Sequence, residues 1–296
     1  MAVRRQSFVA SVTVCVAAGL TLAGCGSGDP EPKESVYVDE NPTFVPGSTM
    51  EKLRVAGKIR IGVKFDQPGM GYREAGSDDD PEGFDVEMAQ VIAGKLGIAP
   101  DKIQWVETES QNREKFLRNK TVDLVLASYS ITPERRELVG IAGPYYVTGQ
   151  QLLVRKGDKS ISGTRDVKGK RVCSARGTTS IQRVEEKYDA TPVPYGTYTE
   201  CIEQLLDKSV DAVTTDGALL LGYAAQKPEA LKVVGKPFSS ERYGVGYQKG
   251  DTEMCEFINR TLTHSYRDGS WVNALSRTLW KTSGAVAYPD VDPCPQ

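Results

Sequence analysis

Ser128, Ser130, Thr132 and Arg135 have the residue types and spacing of an anion receptor. They sit in the stretch VDLVLASYSITPERR, residues 122 to 136. The apolar run Val122, Leu124, Val125 and Leu126 is short and bounded by polar residues, which predicts a buried strand. Hydroxyls follow at every second position, then Pro133 stands where a helix can begin, with Arg135 in its first turn. In open α/β sheets ligands bind beyond the carboxyl ends of the strands. Backbone N–H groups, hydroxyls and a guanidinium fork at such an end make a carboxylate receptor. A second candidate lies at Gly177-Thr178-Thr179, where a strand turns into a helix and offers a hydroxyl and N–H groups suited to an anion. The alternative for Thr178 and Thr179 is plain helix capping.

The elements that must position these groups come in two similar sets. Ile59 to Val63 is a strand; Phe84, Met88, Val91, Ile92 and Leu96 mark one helix face, with Asp85 or a neighbour able to cap its start. Ile103 to Glu107 is a second strand, Ser110 to Asn119 a polar helix with Phe116 and Leu117 inward, and residues 122 to 127 a third strand. The pattern repeats from Arg171 through a strand, a helix to Tyr188, an extended piece at Thr191 to Pro194, a helix over Thr199 to Asp207 and a strand over Val210 to Thr214 that ends at Asp216. A helix over Leu219 to Ala225 and a strand over Leu231 to Val234 complete it. Each β-α-β-α-β alternation predicts a parallel sheet covered by helices. Gln150 to Arg155 leads into the second set and Tyr243 to Gln248 leads out. Helices over Thr252 to Arg267 and Ser270 to Lys281 follow, with Trp271, Leu275 and Leu279 on one stripe. One lobe is thus inserted in the other, and two crossing segments make a hinge able to close on a ligand.

Several segments in order resemble the family 3 extracellular solute-binding proteins, the amino-acid receptors of ABC importers. They are GFDVEMAQVIAGKLG, the SITPERR segment, GPYYVTGQQLLVRK, KGKRVCSARGTTS, and DAVTTD through YGVGYQKGD. The phrase KFDQPG resembles, more narrowly, the glutamate-binding lipoproteins of Gram-positive uptake systems. The resemblance implies a two-lobed α/β fold of the periplasmic-binding type II, with two parallel-sheet lobes on a two-segment hinge. It implies that Arg135 grips the α-carboxylate of an amino acid, with Ser128 and Ser130 completing the cradle. It implies that Asp216 holds the α-ammonium, where the alternative is an N-cap on the next helix. A glutamate ligand needs a further cation. Lys64 and Arg176, each just past a strand, are the candidates, with Arg73 behind them; either could equally be a solvated surface charge. Phe65, Gln67, Tyr129 and Tyr145 are candidate walls.

The chain has 296 residues, enough for two cores, and a formal charge of −2, which gives no nucleic-acid footprint. Residues 1–24 join Arg4 and Arg5 to an apolar run from Phe8 to Leu22 and read as a secretory signal. The sequence LAGC, Leu22 to Cys25, resembles a bacterial lipobox and implies acylation of Cys25, hence a lipid anchor at the cell membrane. Residues 25–49 are rich in Gly, Pro and acid and read as a tether. The bounds expected after it are 50–149 for the first part of lobe 1, 150–242 for lobe 2, and 243–296 for the return to lobe 1 and a tail. Four cysteines remain, Cys173, Cys201, Cys255 and Cys294. They allow three pairings; Cys173–Cys201 within one lobe and Cys255–Cys294 stapling the tail are favoured. No cofactor or metal motif is present. The expectation is a monomeric receptor for an acidic amino acid, glutamate, aspartate or an amide, that hands it to the permease subunits of an ABC importer. The same receptor could signal to a membrane protein instead. An enzyme on the same scaffold is the other alternative, against which stands a single histidine, His264, on a C-terminal helix.

Overall fold

The computed structural model describes residues 37–279, 281 and 286–295. The expected signal, Cys25 and the first part of the tether lie outside the described residues. Among the described residues no helix is long and apolar enough to cross a membrane.

The first lobe holds α1 (Thr49–Ala56), β1 (Ile59–Val63), β2 (Asp66–Gln67), β3 (Gly71–Tyr72), α2 (Phe84–Lys95), β4 (Ile103–Glu107), α3 (Arg113–Arg118), β5 (Leu124–Val125), α4 (Pro133–Leu138) and β6 (Gly140–Thr148). The second holds β7 (Gln150–Arg155), β8 (Arg171–Ala175), α5 (Thr179–Lys187), β9 (Thr191–Tyr195), α6 (Tyr198–Leu206), β10 (Ala212–Asp216), α7 (Gly217–Gln226) and β11 (Leu231–Val234). The chain then returns to the first through β12 (Glu241–Tyr247), α8 (Thr252–Asp268) and α9 (Ser270–Thr278).

Each lobe is built on a five-stranded sheet, ordered β4-β1-β5-β12-β6 and β11-β7-β10-β8-β9. The parallel pairing expected from the β-α alternation is realised in β4-β1-β5 and β10-β8-β9. The strands next to the crossings, β6, β7, β11 and β12, add antiparallel ladders, so both sheets are mixed. A strand that enters a lobe from the hinge runs from its cleft edge outward, opposite to strands that end at the cleft. The crossings are Gly149 and residues 235–240. The second crossing bonds to the start of β7, just past the first, through Phe238 N–H to the Gln150 carbonyl (3.0 Å) and Gln150 N–H to Ser239 Oγ (3.0 Å). The second crossing therefore precedes the expected boundary at 243, because Glu241 and Arg242 already pair with Thr148 and Val147 of lobe 1.

Apolar periodicity explains the packing. Phe84, Met88, Ile92 and Leu96 are all buried along and just after α2, as are Trp271, Leu275 and Leu279 along and just after α9. Trp271 packs edge-on to Phe84 and donates its indole N–H to the Tyr145 carbonyl at 2.8 Å. Two segments are more ordered than their composition suggests. Residues 37–48, read as tether, lie on lobe 1: Asp39 N–H donates to the Gly94 carbonyl at the end of α2 (2.9 Å), Phe44 meets Phe257 edge to face, and the Lys95 ammonium sits over the Tyr37 ring. Polar composition hid these few anchoring contacts. In the tail, Asp292 accepts from Arg136 (2.8 Å) and Arg242 (2.5 Å). Disulfides join Cys173 to Cys201 and Cys255 to Cys294; the second ties the tail to α8.

Candidate functional site

Ser110, Arg113, Ser128, Ser130 and Arg135 of lobe 1 face Thr178, Thr179, Ser180, Tyr198, Thr215 and Asp216 of lobe 2 across one cavity. Arg135 and Thr179 also line a broader groove of about 600 Å3 alongside it.

The lobe 1 wall is cationic. Thr132 caps α4 by accepting the Arg135 N–H at 3.3 Å, and Pro133 opens the helix, so Arg135 is fixed in the first turn. Its guanidinium donates to the Ser130 carbonyl (2.6 Å) and across the cleft to the Gly177 carbonyl (3.0 Å), and lies over the Tyr129 ring. Burial, and then the charge of Arg113, pull its pKa down to about 10. Arg113 was not singled out from the sequence. It is buried, lies over the same Tyr129 ring, and donates to the carbonyls of Ser110, Ala127 and Gly177 at 3.0, 3.0 and 3.1 Å. Two guanidinium forks therefore converge on one carbonyl of the opposite lobe. Gly177 has φ +74°, and a Cβ there would lie 2.8 Å from the Gln111 backbone, so only glycine brings that carbonyl to both arginines.

Ser128 is held in the left-handed region at φ +43°, unusual for a residue with a Cβ. β5 covers only Leu124–Val125 of the six residues expected. Asp85 stabilises the turn. It does not cap α2, whose N-cap is Gly83 without a side-chain bond. Its carboxylate instead accepts the Ser128 N–H (2.7 Å) and the Tyr145 hydroxyl (2.5 Å) from beneath the site. Burial raises its pKa to about 6 against the pull of those two bonds.

On lobe 2, Thr178 caps α5 by accepting the Ile181 N–H at 3.2 Å, so its hydroxyl is engaged in capping while it lines the cavity. Thr179 donates to Glu241 at 3.0 Å. Asp216 occupies the N-cap position of α7 but makes no capping bond. One carboxylate oxygen accepts the Tyr243 hydroxyl at 2.5 Å; the other, Oδ1, is buried with no hydrogen-bond partner among the described residues. Burial, reinforced by Glu241, pushes its pKa up to about 7. A half-satisfied buried carboxylate on a cavity wall, facing two guanidinium groups, suits a ligand that carries an ammonium beside a carboxylate.

The second-cation candidates part ways. Lys64 is buried one layer behind the cavity and donates to Ser110 Oγ at 2.9 Å; burial lowers its pKa to about 8. Arg176 is not brought to the cavity. Its backbone N–H pairs with the Tyr195 carbonyl at 2.8 Å and its side chain is exposed, because the chain turns into the cleft only at Gly177. Arg113, and not Arg176, is the second arginine lining the cavity. Of the candidate walls, Tyr129 and Tyr145 support the arginines and Asp85, Phe65 packs under Arg73, and the buried Gln67 amide has no partner among the described residues. Arg113 had a sequence signal: it stands four residues before Leu117, on the face read as inward. His264 pairs with Asp268 at 2.7 Å on α8 and does not line the cavity.

The model of the bacterial extracellular solute-binding proteins, family 3, matches residues 59–279. The glutamate-binding protein GluB of Corynebacterium efficiens is 36% identical over 288 residues, covering 94% of this chain and 92% of that one. GluB of Corynebacterium glutamicum is 37% identical, covering 78% and 81%. Among solved structures, the solute receptor for L-cysteine of Neisseria gonorrhoeae superposes with a TM-score of 0.75 at 31% identity, covering 82% of this chain and 98% of that one. The chain belongs to the family 3 bacterial extracellular solute-binding proteins.

Proposed function

We propose that this chain is an extracytoplasmic, lipid-anchored receptor that captures an acidic amino acid, glutamate before aspartate or the amides, by closure of its two lobes, and delivers it to the permease subunits of an ABC importer. The observation that carries the reading is the unpartnered Oδ1 of Asp216 across the cavity from Arg135 and Arg113. An α-amino acid places an ammonium and a carboxylate on one carbon and satisfies both walls at once. Arg135 takes the α-carboxylate. Arg113, backed by Lys64 through Ser110, takes the side-chain carboxylate and makes the site prefer glutamate over glutamine. The names of the two GluB relatives agree with that choice.

Isothermal titration of the purified protein with the common amino acids tests this. Tight 1:1 binding of glutamate is expected. Arg113→Ala is expected to weaken glutamate roughly 30-fold or more, the cost of stranding a buried charge, and glutamine far less. Equal losses for the two ligands would remove Arg113 from side-chain recognition. Failure of every amino acid to bind would return the enzyme reading. The anchor on Cys25 has its own test. Cells fed a labelled fatty acid should label the chain and retain it in the membrane fraction; Cys25→Ala should lose both. An unlabelled wild-type chain removes the anchor.

A further inference from the structure

We propose that Asp66 is an affinity-determining residue that acts from outside the ligand cavity, by latching lobe 1 onto the first turn of α6 in lobe 2. The turn from β2 to β3 projects from lobe 1, and the Asp66 carboxylate accepts the Tyr198 N–H at 2.8 Å. The carbonyl of Asp66 accepts the Tyr223 hydroxyl from α7. Tyr198 is the first residue of α6, so its N–H has no partner within the helix. The cap of that helix is otherwise complete: Thr197 accepts the Glu200 N–H and Glu200 returns the bond to Thr197 N–H. Asp66 thus supplies from the other lobe the acceptor that the α6 terminus lacks, and a negative charge there is favoured by the helix dipole.

Shape supports the same contact. Gly222 on α7 lies directly against the Pro68 carbonyl, and a Cβ built on it would overlap that oxygen. The notch that admits the β2–β3 turn exists only because residue 222 has no side chain. Asp66, Pro68 and Gly222 do not line the cavity, whereas Tyr198 does. The latch therefore reads closure and not ligand identity. It breaks when the lobes part, so its loss lowers the closed population and weakens every ligand by the same factor.

This inference rests on the receptor reading, and two variants and two readouts separate their failures. Asp66→Ala removes the acceptor, while Gly222→Ala blocks the notch and leaves Asp66 and Tyr198 intact. Both are expected to speed ligand dissociation roughly tenfold, on the scale of a lost cap and helix-terminus charge, with association unchanged and glutamate and glutamine affected alike. In protein without ligand, amide exchange at Tyr198 is expected to quicken in Gly222→Ala. Unchanged Tyr198 exchange in that variant overturns the latch, whether or not any amino acid binds. Losses that differ between the two ligands overturn it too, because Asp66 would then be reading the ligand.

Discussion

Asp216→Asn is expected to weaken amino-acid binding by roughly 100- to 1,000-fold, the scale of breaking a buried charge pair, and at the same time to raise the melting temperature of the protein without ligand. Both effects have one cause. The Asp216 carboxylate is buried with one oxygen unpartnered, and burial raises its pKa from an ordinary 3.8 to about 7. A raised carboxylate pKa means that folding disfavours the charged form. The penalty is full above about pH 7, declines as pH falls, and is gone below about 4, where folded and unfolded chains are both protonated. Asparagine removes the penalty, so its gain in melting temperature should be present at pH 8 and fade on acidification. Binding runs the other way. An ammonium seated on Oδ1 stabilises the charged form, so below pH 7 each binding event expels a proton. Affinity should therefore fall about tenfold per pH unit below that point and stay level above it. Calorimetry across that range gives the slope, and a repeat in buffers of different ionisation enthalpy counts the protons. If the variant keeps the slope, another group titrates and Asp216 is not the ammonium partner.

Arg135→Ala is expected to weaken binding by at least roughly 30-fold, and Arg135→Lys is expected to recover little of it. The guanidinium reaches the Ser130 carbonyl, the Gly177 carbonyl and the Tyr129 face at once. A lysine ammonium is a point charge on a flexible stem and cannot hold that plane while gripping a carboxylate with two parallel bonds. The Gly177 contact also belongs to closure, so dissociation should accelerate more than association slows. Restoration of full affinity by lysine would mean that charge alone suffices at this position.

The sequence was most informative where chemistry is local. Thr132, Pro133 and Arg135 are neighbours in the chain, and the same capping geometry that starts α4 aims the arginine. Asp216 was singled out by the resemblance and by its place at the end of a strand, and it lines the cavity. Arg113 had only its helix face to mark it and Asp85 read as a cap, because the groups they meet are distant in sequence. Arg113 meets Ala127 and Gly177, and Asp85 meets Ser128 and Tyr145. On a helix, a buried arginine and an exposed one look alike until the partner is known. Arg176 shows the converse. Its place after a strand suggested the cleft, but the turn came one residue later. Alternation announced the parallel strands, while the direction of the hinge strands depends on which edge the chain enters from, which periodicity does not encode.

The docking of residues 37–48 on α2 and α8 makes lobe 1 the part of the molecule that the N-terminal chain enters. Any load carried by the chain upstream of Tyr37 is delivered into lobe 1 and does no work on the crossings at Gly149 and 235–240. With the lipid proposed at Cys25, any pull from the membrane would enter the molecule through lobe 1. Closure of lobe 2 would then not have to work against that pull.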